Sequence, residues 1–254
     1  MQLSTFVDRL DDRLRTDAYA DLDASANGLQ VGPDDKEIEH VAFAVDAAEA
    51  TIEAAVEADA DVLVTHHGLS WGGIERVTGR HYGRIAPLIE NDVALYVSHL
   101  PLDGHQKHGN AAGVADELDL EDREPFGEVG PEHIGTLGTA AEPLATAQVK
   151  SLLDELDQGD QETQVLEFGP ELIERVAVVT GSGSDWLDEA VEKGVDALVT
   201  GEGKGKVYHE AREAGITVFL AGHYATETFG VRRLQALADR YELETTYVDH
   251  PTGL

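Results

Sequence analysis

The sequence predicts an α/β protein with two similar interlocked lobes, in which mainly parallel sheets are flanked by helices. Short apolar runs alternate with helical patterns along the chain, as expected when parallel strands are joined by helices. One segment is also written twice: residues 40–67 align without a gap on residues 175–202, with nine identical pairs in 28 positions. Hydrophobic residues make up 42% of the 254 residues, which is ample for a core.

The elements follow from these patterns in chain order. A charged amphipathic helix begins at Ser4 and runs for about a dozen residues. Val41–Val45 is an uninterrupted apolar run, which is typical of a strand buried on both faces. Further strands are expected at 62–65, 93–98, 134–138, 164–168, 176–180, 197–200 and 217–221. Further helices are expected at 47–59, 82–91, 109–118, 144–156, 186–193, 206–214 and 226–241.

We expect residues 1–254 to form a single domain with an internal pseudo-duplication. Its first lobe would cover about residues 1–125, a connecting segment about 126–170, and its second lobe about 171–254. The repeat indicates that the lobes pack together and share a cleft, because ligands bind beyond the carboxyl ends of strands in such sheets.

The chain is strongly acidic, with 50 Asp and Glu against 18 Lys and Arg and a net charge of −32. A solvated acidic surface of this kind is typical of halophiles, whose proteins must stay soluble in high salt. The charge argues against a nucleic-acid partner, because no basic patch could neutralise phosphates. The absence of cysteine excludes disulfides, thiolate zinc sites and cysteine nucleophiles. Because no apolar stretch approaches membrane-spanning length, we expect a cytoplasmic protein with no membrane contact.

Histidines and carboxylates follow the apolar runs in both halves. His66 and His67 come directly after one run, and His223 follows another, with Glu227 four residues later. Asp103 takes the matching place in the first half. Imidazoles mixed with carboxylates suit Zn²⁺, Fe²⁺, Mn²⁺ or Ni²⁺, and five ligands suffice for two such ions. The alternatives are loop histidines bonded to backbone and an ordinary helical His–Glu pair.

Three other histidines belong to this neighbourhood. His99 is the repeat partner of His223, and we expect it to orient a ligand, although a ligand or a purely structural role stays open. His105 and His209 are candidates for substrate contact or proton transfer, and plain solvent exposure is the alternative for each.

The sequence resembles the GTP cyclohydrolase type 2 homologues, also called the Nif-three-like family, and in particular their short toroid-forming branch. The resemblance runs from end to end of the chain, in the segments NGLQVG, VTHHGLSWGG, SHLPLDGH, VTGSGS, VTGEGKGK and AGHYATE. It implies a two-lobed α/β fold and a ring-shaped homohexamer, with two divalent metal ions per subunit facing an internal cavity.

The resemblance also implies site residues and an activity. The family's metal-ligand positions fall on His66, His67, Asp103, His223 and Glu227. The position of Glu202 lies near the site in the same pattern. The family name implies hydrolytic opening of the GTP ring system, but no residue here reads guanine. Three functions therefore stay open: a metal-dependent hydrolase of a nucleotide-like or other small polar substrate, a metal storage or delivery protein, and a structural ring.

Overall fold

The computed structural model describes residues 1–157, 159 and 161–254 of the chain. These residues form two compact units. The first contains Met1–Leu102 and Gly230–His250, and the second contains Asp103–Phe229 and Pro251–Leu254. The chain therefore leaves the first unit after Leu102 and returns to it near the end of the sequence.

Both units combine strands and helices, which confirms the predicted α/β class. The helices are α1 (Leu3–Leu14), α2 (Glu49–Glu57), α3 (Arg80–Glu90), α4 (Leu100–Gly104), α5 (Asn110–Glu117), α6 (Thr146–Leu153), α7 (Leu187–Glu192), α8 (Val207–Ala214), α9 (His223–Thr226) and α10 (Thr228–Asp239). The strands are β1 (Gly28–Val31), β2 (His40–Asp46), β3 (Val62–His67), β4 (Ala94–Val97), β5 (Leu120–Val129), β6 (Glu132–Ala145), β7 (Gln164–Leu166), β8 (Leu172–Val178), β9 (Ala197–Thr200), β10 (Thr217–Leu220) and β11 (Glu244–Tyr247). Within the described part of the chain, every helix is too short or too polar to cross a membrane.

The first unit is built on a five-stranded sheet in the order β1-β4-β3-β2-β11. Its pairings are parallel except for the one between β1 and β4. The central residues of β2 are buried on both faces, as its uninterrupted apolar run predicts. Helix α1 buries Leu3, Phe6, Leu10 and Leu14, whose spacing places them on one face.

The second unit is built on a six-stranded sheet in the order β5-β6-β8-β9-β10-β7. Strands β8, β9 and β10 are parallel, and the outer pairings are antiparallel. The apolar core of this unit joins α5 and α6 to the sheet, with Val114 and Val149 packed among Val176, Val199 and Phe219.

The duplication read from the sequence extends to the strand register. In the first unit Val41 pairs with Val62, and in the second unit Val176 pairs with Ala197. Both pairs join aligned positions of the repeat, and the next two pairs along each strand keep the same relation. The two segments therefore form the same strand–helix–strand unit, because each one buries the same apolar positions.

In each copy of the repeat, one aspartate side chain holds the start of the repeat by hydrogen bonds to the backbone. Oδ2 of Asp61 accepts hydrogen bonds from the backbone N–H groups of residues 39 and 40, at 2.7 and 2.9 Å. Oδ2 of Asp196 accepts from residues 174 and 175, both at 2.9 Å. Asp61 and Asp196 are an identical pair of the repeat. The carboxylate thus satisfies two N–H groups at the start of the repeat in each copy.

Several segments differ from the sequence expectation, and β1 and α4 are additional to it. The Gly-, Pro- and Glu-rich stretch after α5, expected to connect the lobes around one short strand, forms the long hairpin of β5 and β6. The helix expected at 226–241 is divided at Glu227 into α9 and α10. Residues 230–250, expected in the second lobe, belong to the first unit, because β11 pairs with β2. Residues 103–125, expected in the first lobe, belong to the second unit.

The backbone hydrogen bonds of Asp61 and Asp196 can be tested by substitution. Asp61→Ala and Asp196→Ala each remove two hydrogen bonds to a charged acceptor, so each should lower the free energy of unfolding by about 1–3 kcal/mol. Denaturant unfolding at constant salt measures this loss. Glu57→Ala and Glu192→Ala change an exposed aligned pair and serve as controls. Equal stability of Asp61→Ala and Glu57→Ala would contradict the assignment.

Candidate metal centre

Three histidines gather at the carboxyl-end edge of the first unit's sheet. His66 and His67 are the last two residues of β3, which therefore extends two residues further than expected. His99 lies two residues beyond β4, the parallel neighbour of β3. The ring centroids are 4.6 Å apart for His66 and His67, 5.1 Å for His66 and His99, and 5.7 Å for His67 and His99. One nitrogen from each ring lies within 4.8 Å of the others, so this cluster could hold a metal ion.

Fixed acceptors orient the two histidines of β3. Nδ1 of the buried His66 lies 2.9 Å from the carbonyl oxygen of Ser98. A carbonyl can only accept, so Nδ1 donates and Nε2 carries the lone pair of the neutral ring. Nδ1 of His67 lies 2.9 Å from Oδ1 of Asp46, the last residue of β2. A carboxylate in this position holds the ring and strengthens Nε2 as a metal ligand.

His99 is held by a network from the segment before β1. Its Nδ1 lies 2.9 Å from Oδ1 of Asp23, and its backbone N–H donates to Oδ1 of Asn27 at 2.7 Å. Asp23 also accepts from Asn27 Nδ2 at 2.8 Å and from the N–H of Ser25 at 2.9 Å. Burial alone would raise the pKa of Asp23, but the hydrogen bond and charge of His99, together with the other donors, lower it. Asp23 is therefore ionised at neutral pH.

The second unit places two carboxylates in its interior. Asp103 is 6% exposed and Glu227 is 2% exposed, and a carboxylate oxygen of each lies within 4.8 Å of the other. Asn110 Nδ2 and Thr180 Oγ1 donate to Oδ1 of Asp103 at 2.8 and 3.0 Å and fix its orientation. Two buried carboxylates this close repel each other and lose hydration, so positive charge beside them is strongly favoured.

His223 stands between two carboxylates of the same unit. Its Nε2 lies 3.2 Å from Oε2 of Glu227, and its Nδ1 lies 3.3 Å from Oε1 of Glu202. Burial lowers the pKa of His223, but Glu227 and Glu202 outweigh it and raise the pKa to about 9. A hydrogen bond from Ser182 Oγ lowers the pKa of Glu202, with a further contribution from the charge of His223. Glu202 thus contacts Nδ1 of His223, and its place near a metal site stays a prediction.

The repeat explains why the two units carry different groups. Asp46 and His66 align with Gly181 and Gly201 of the second copy. At Gly181 (φ 58°) an added Cβ would collide with the Glu227 carboxylate. At Gly201 it would come within 2.7 Å of the backbone that starts α9. The first copy has the His66 imidazole and the carboxylate that orients His67 at these positions, and the second copy has glycines that leave space for Glu227 and the start of α9.

The other predicted residues lie in different surroundings. Nδ1 of His105 accepts from the backbone N–H groups of residues 107 and 108, at 3.1 and 3.0 Å, and so stabilises a turn. His209 is exposed on α8, with its ring 5.4 Å from that of Tyr208. The acceptors Asp23 and Asp46 were missed by sequence reasoning. Asp46 ends an apolar strand, which is the one signal that could have identified it.

The sequence profile of the Duf34/NIF3 (NGG1p interacting factor 3) family matches residues 1–252. The chain belongs to this family. Membership confirms the resemblance found in the sequence segments, and similar proteins cover the whole chain.

Two curated relatives of this family member are both named GTP cyclohydrolase 1 type 2 homolog. The one from Halobacterium salinarum is 60% identical over 255 residues and the one from Pyrococcus abyssi is 41% identical over 255 residues, with 100% of both chains covered in each case. The crystal structure of TTHA1606 from Thermus thermophilus is 37% identical, covers 100% of both chains and superimposes with a TM-score of 0.90. These relatives support the fold, while the joint use of five ligands stays a prediction.

The role of Asp46 can be measured as metal affinity. Asp46→Asn removes the carboxylate that holds His67, so the affinity for a divalent ion should fall about 10- to 100-fold. Titration of the metal-free protein with Zn²⁺ or Mn²⁺ measures the change, with exposed Glu53→Gln as control. Unchanged affinity in Asp46→Asn would exclude His67 as a ligand oriented in this way.

The raised pKa of His223 predicts a pH dependence. The ring is protonated below about pH 9 in the metal-free protein and must lose this proton to bind a metal ion. Apparent metal affinity should therefore rise about tenfold per pH unit between pH 7 and 9 and level off above it. In the metal-free protein the same shift adds stability that is fully present below pH 6.5 and is lost as the pH rises through about 9.

Calorimetric titration in two buffers of different ionisation enthalpy counts the proton that His223 releases on metal binding. A metal affinity that stays constant from pH 7 to 9 would contradict the assignment.

Proposed function

We propose that this protein binds two divalent metal ions per chain and acts as a metal-dependent hydrolase on a nucleotide-like or other small polar substrate. The proposed ligands are His66, His67, Asp103, His223 and Glu227. The observation that carries the proposal is the way these groups are held: the three candidate imidazoles each have an acceptor at Nδ1, and both carboxylates are buried.

The donor set fits borderline divalent ions. An imidazole held at Nδ1 presents Nε2 to an ion at little entropic cost, because its ring is already oriented. The proximity of Asp103 and Glu227 favours a cation beside them, and the mixture of nitrogen and oxygen donors suits Zn²⁺, Fe²⁺, Mn²⁺ or Ni²⁺. Glu202 is half exposed and ionised, and it can retain the Nδ1 proton of His223 when Nε2 binds an ion.

Hydrolysis is the reaction class that such a centre supports best. Two bound divalent ions would polarise a substrate oxygen and lower the pKa of water. The chain's own contribution is to hold the ligands at fixed positions, so that little reorganisation accompanies the reaction. Curated relatives carry the name GTP cyclohydrolase 1 type 2 homolog, which makes nucleotides the first substrates to test.

The proposed assembly is a homohexameric ring. The resemblance to the toroid-forming branch supports this state, and the net charge of −32 implies that salt must screen the repulsion between copies. Sedimentation at high and low salt, with and without a chelator, measures the assembly separately from the activity.

The function is tested by metal content and turnover in the same preparations. The wild-type protein should contain two divalent ions per chain and hydrolyse at least one member of a nucleotide panel that includes GTP. Glu227→Gln and Asp103→Asn each weaken a buried ligand, so kcat/KM should fall about 100-fold or more. Glu192→Gln changes an exposed carboxylate of the same unit and should retain both ions and turnover.

The other functions give different results. A metal storage or delivery protein would hold exchangeable ions and show no turnover on the panel. A structural ring would dissociate when the ions are chelated and would also lack turnover. Wild-type protein that neither contains divalent ions nor takes them up would end the proposal altogether.

A further inference from the structure

An indole lies directly against the histidines of the first unit. Trp71 follows β3 by four residues, and its Nε1–H donates to the carbonyl oxygen of Gly68 at 3.2 Å. The next N–H, that of Gly72, donates to the carbonyl oxygen of Ala24 at 2.7 Å. Both the side chain and the backbone of this loop are thus held in place by hydrogen bonds.

The ring contacts connect Trp71 to candidate ligands. Its ring centroid is 4.9 Å from that of His99, with the planes at 78°, and 6.1 Å from that of His67. Rings at nearly a right angle attract one another, so the imidazole of His99 supports the indole in this position.

The opposite side of the indole is accessible. Trp71 is 47% exposed, in a chain with only two tryptophans. Gly72 and Gly73 follow it in the left-handed region, at φ 72° and 105°, and a Cβ built on either would meet nothing within 4 Å. The space beside this part of the loop is therefore open to a ligand.

We propose that Trp71 is a stacking surface that binds a planar heteroaromatic ring of the substrate, an inference that rests on the proposed hydrolase function. Stacking on an aromatic side chain recognises a base by its flat face and needs no base-specific hydrogen bond. Because the indole is already held, binding costs little side-chain entropy. Its contacts with His67 and His99 would place such a ring next to the candidate metal ligands.

The experiment uses full-length, metal-loaded protein carrying Trp186→Phe, which leaves Trp71 as the single tryptophan. The probes are guanosine 5′-monophosphate and ribose 5-phosphate. Both contain ribose and phosphate, but only the nucleotide carries a base. The nucleotide should quench the emission of Trp71, and ribose 5-phosphate should not. Calorimetric titration should show that Trp71→Ala weakens nucleotide binding about 5- to 150-fold, the range of base–aromatic stacking, while Trp71→Phe weakens it less.

The control is Ile74→Ala, which changes another exposed apolar residue of the same loop and should leave nucleotide binding unchanged. Equal binding of the two probes, or full nucleotide affinity in Trp71→Ala, would overturn the inference. So would a change of oligomeric state in both Trp71→Ala and Ile74→Ala without any change in nucleotide binding, since the loop would then be an interface between copies.

The inference and the proposed function fail in different ways. Nucleotide binding that depends on Trp71 in a protein without turnover would support the stacking surface and contradict the hydrolase. Turnover that is the same in wild type and Trp71→Ala, with two ions in each, would support the hydrolase and overturn the stacking surface.

Discussion

Hydrogen bonds at Nδ1 orient the histidines of the candidate centre. A free imidazole can present either nitrogen and rotate about two bonds, so an unrestrained ring would rarely hold its lone pair in a fixed direction. Here Ser98, Asp46, Asp23 and Glu202 each face one Nδ1 at 2.9 to 3.3 Å. Three of these acceptors lie at or just beyond the carboxyl ends of strands. The strand register of each sheet therefore determines where these acceptors lie and which imidazole nitrogen stays available to a ligand. The hydrophobic core fixes this register and so affects the site indirectly.

The repeat shows how one strand–helix–strand unit can serve two purposes. Both copies share the strand register, the buried apolar positions and the aspartate that accepts backbone hydrogen bonds at the start of the repeat. The features at the carboxyl ends of the strands differ, with Asp46 and His66 in one copy and Gly181 and Gly201 in the other. The two copies therefore carry different groups at the same places of a shared strand–helix–strand unit, and the glycines of the second copy are required by close neighbours.

Much of the fold could be predicted because buried parallel strands are uninterrupted apolar runs, as in β2, β3 and β9. β5 was not predicted, since its charged residues and Pro125 give it the composition of a loop. β11 is a polar edge strand of four residues whose partner lies about 200 positions earlier, so no local pattern marks it.

The site was predictable where histidines follow apolar runs. Asp23 and Asp46 were not predicted, because a chain with 50 acidic residues offers many similar aspartates. The place of Asp46 at the end of an apolar strand is a sequence signal, whereas only three-dimensional contact distinguishes Asp23. The same limit applies to Trp71, whose contact with His99 joins two segments that are separate in sequence.

The late return of the chain to the first unit has a consequence for its synthesis. Strand β2 lies between β3 and β11, and β11 is synthesised long after β2. Until then the growing chain exposes β2 as an open sheet edge, with backbone groups free to pair with any neighbouring nascent chain. The second unit, whose main segment ends at Phe229, is translated before that edge can close. The order of synthesis therefore leaves the sheet of the first unit unfinished while the whole main segment of the second unit is made.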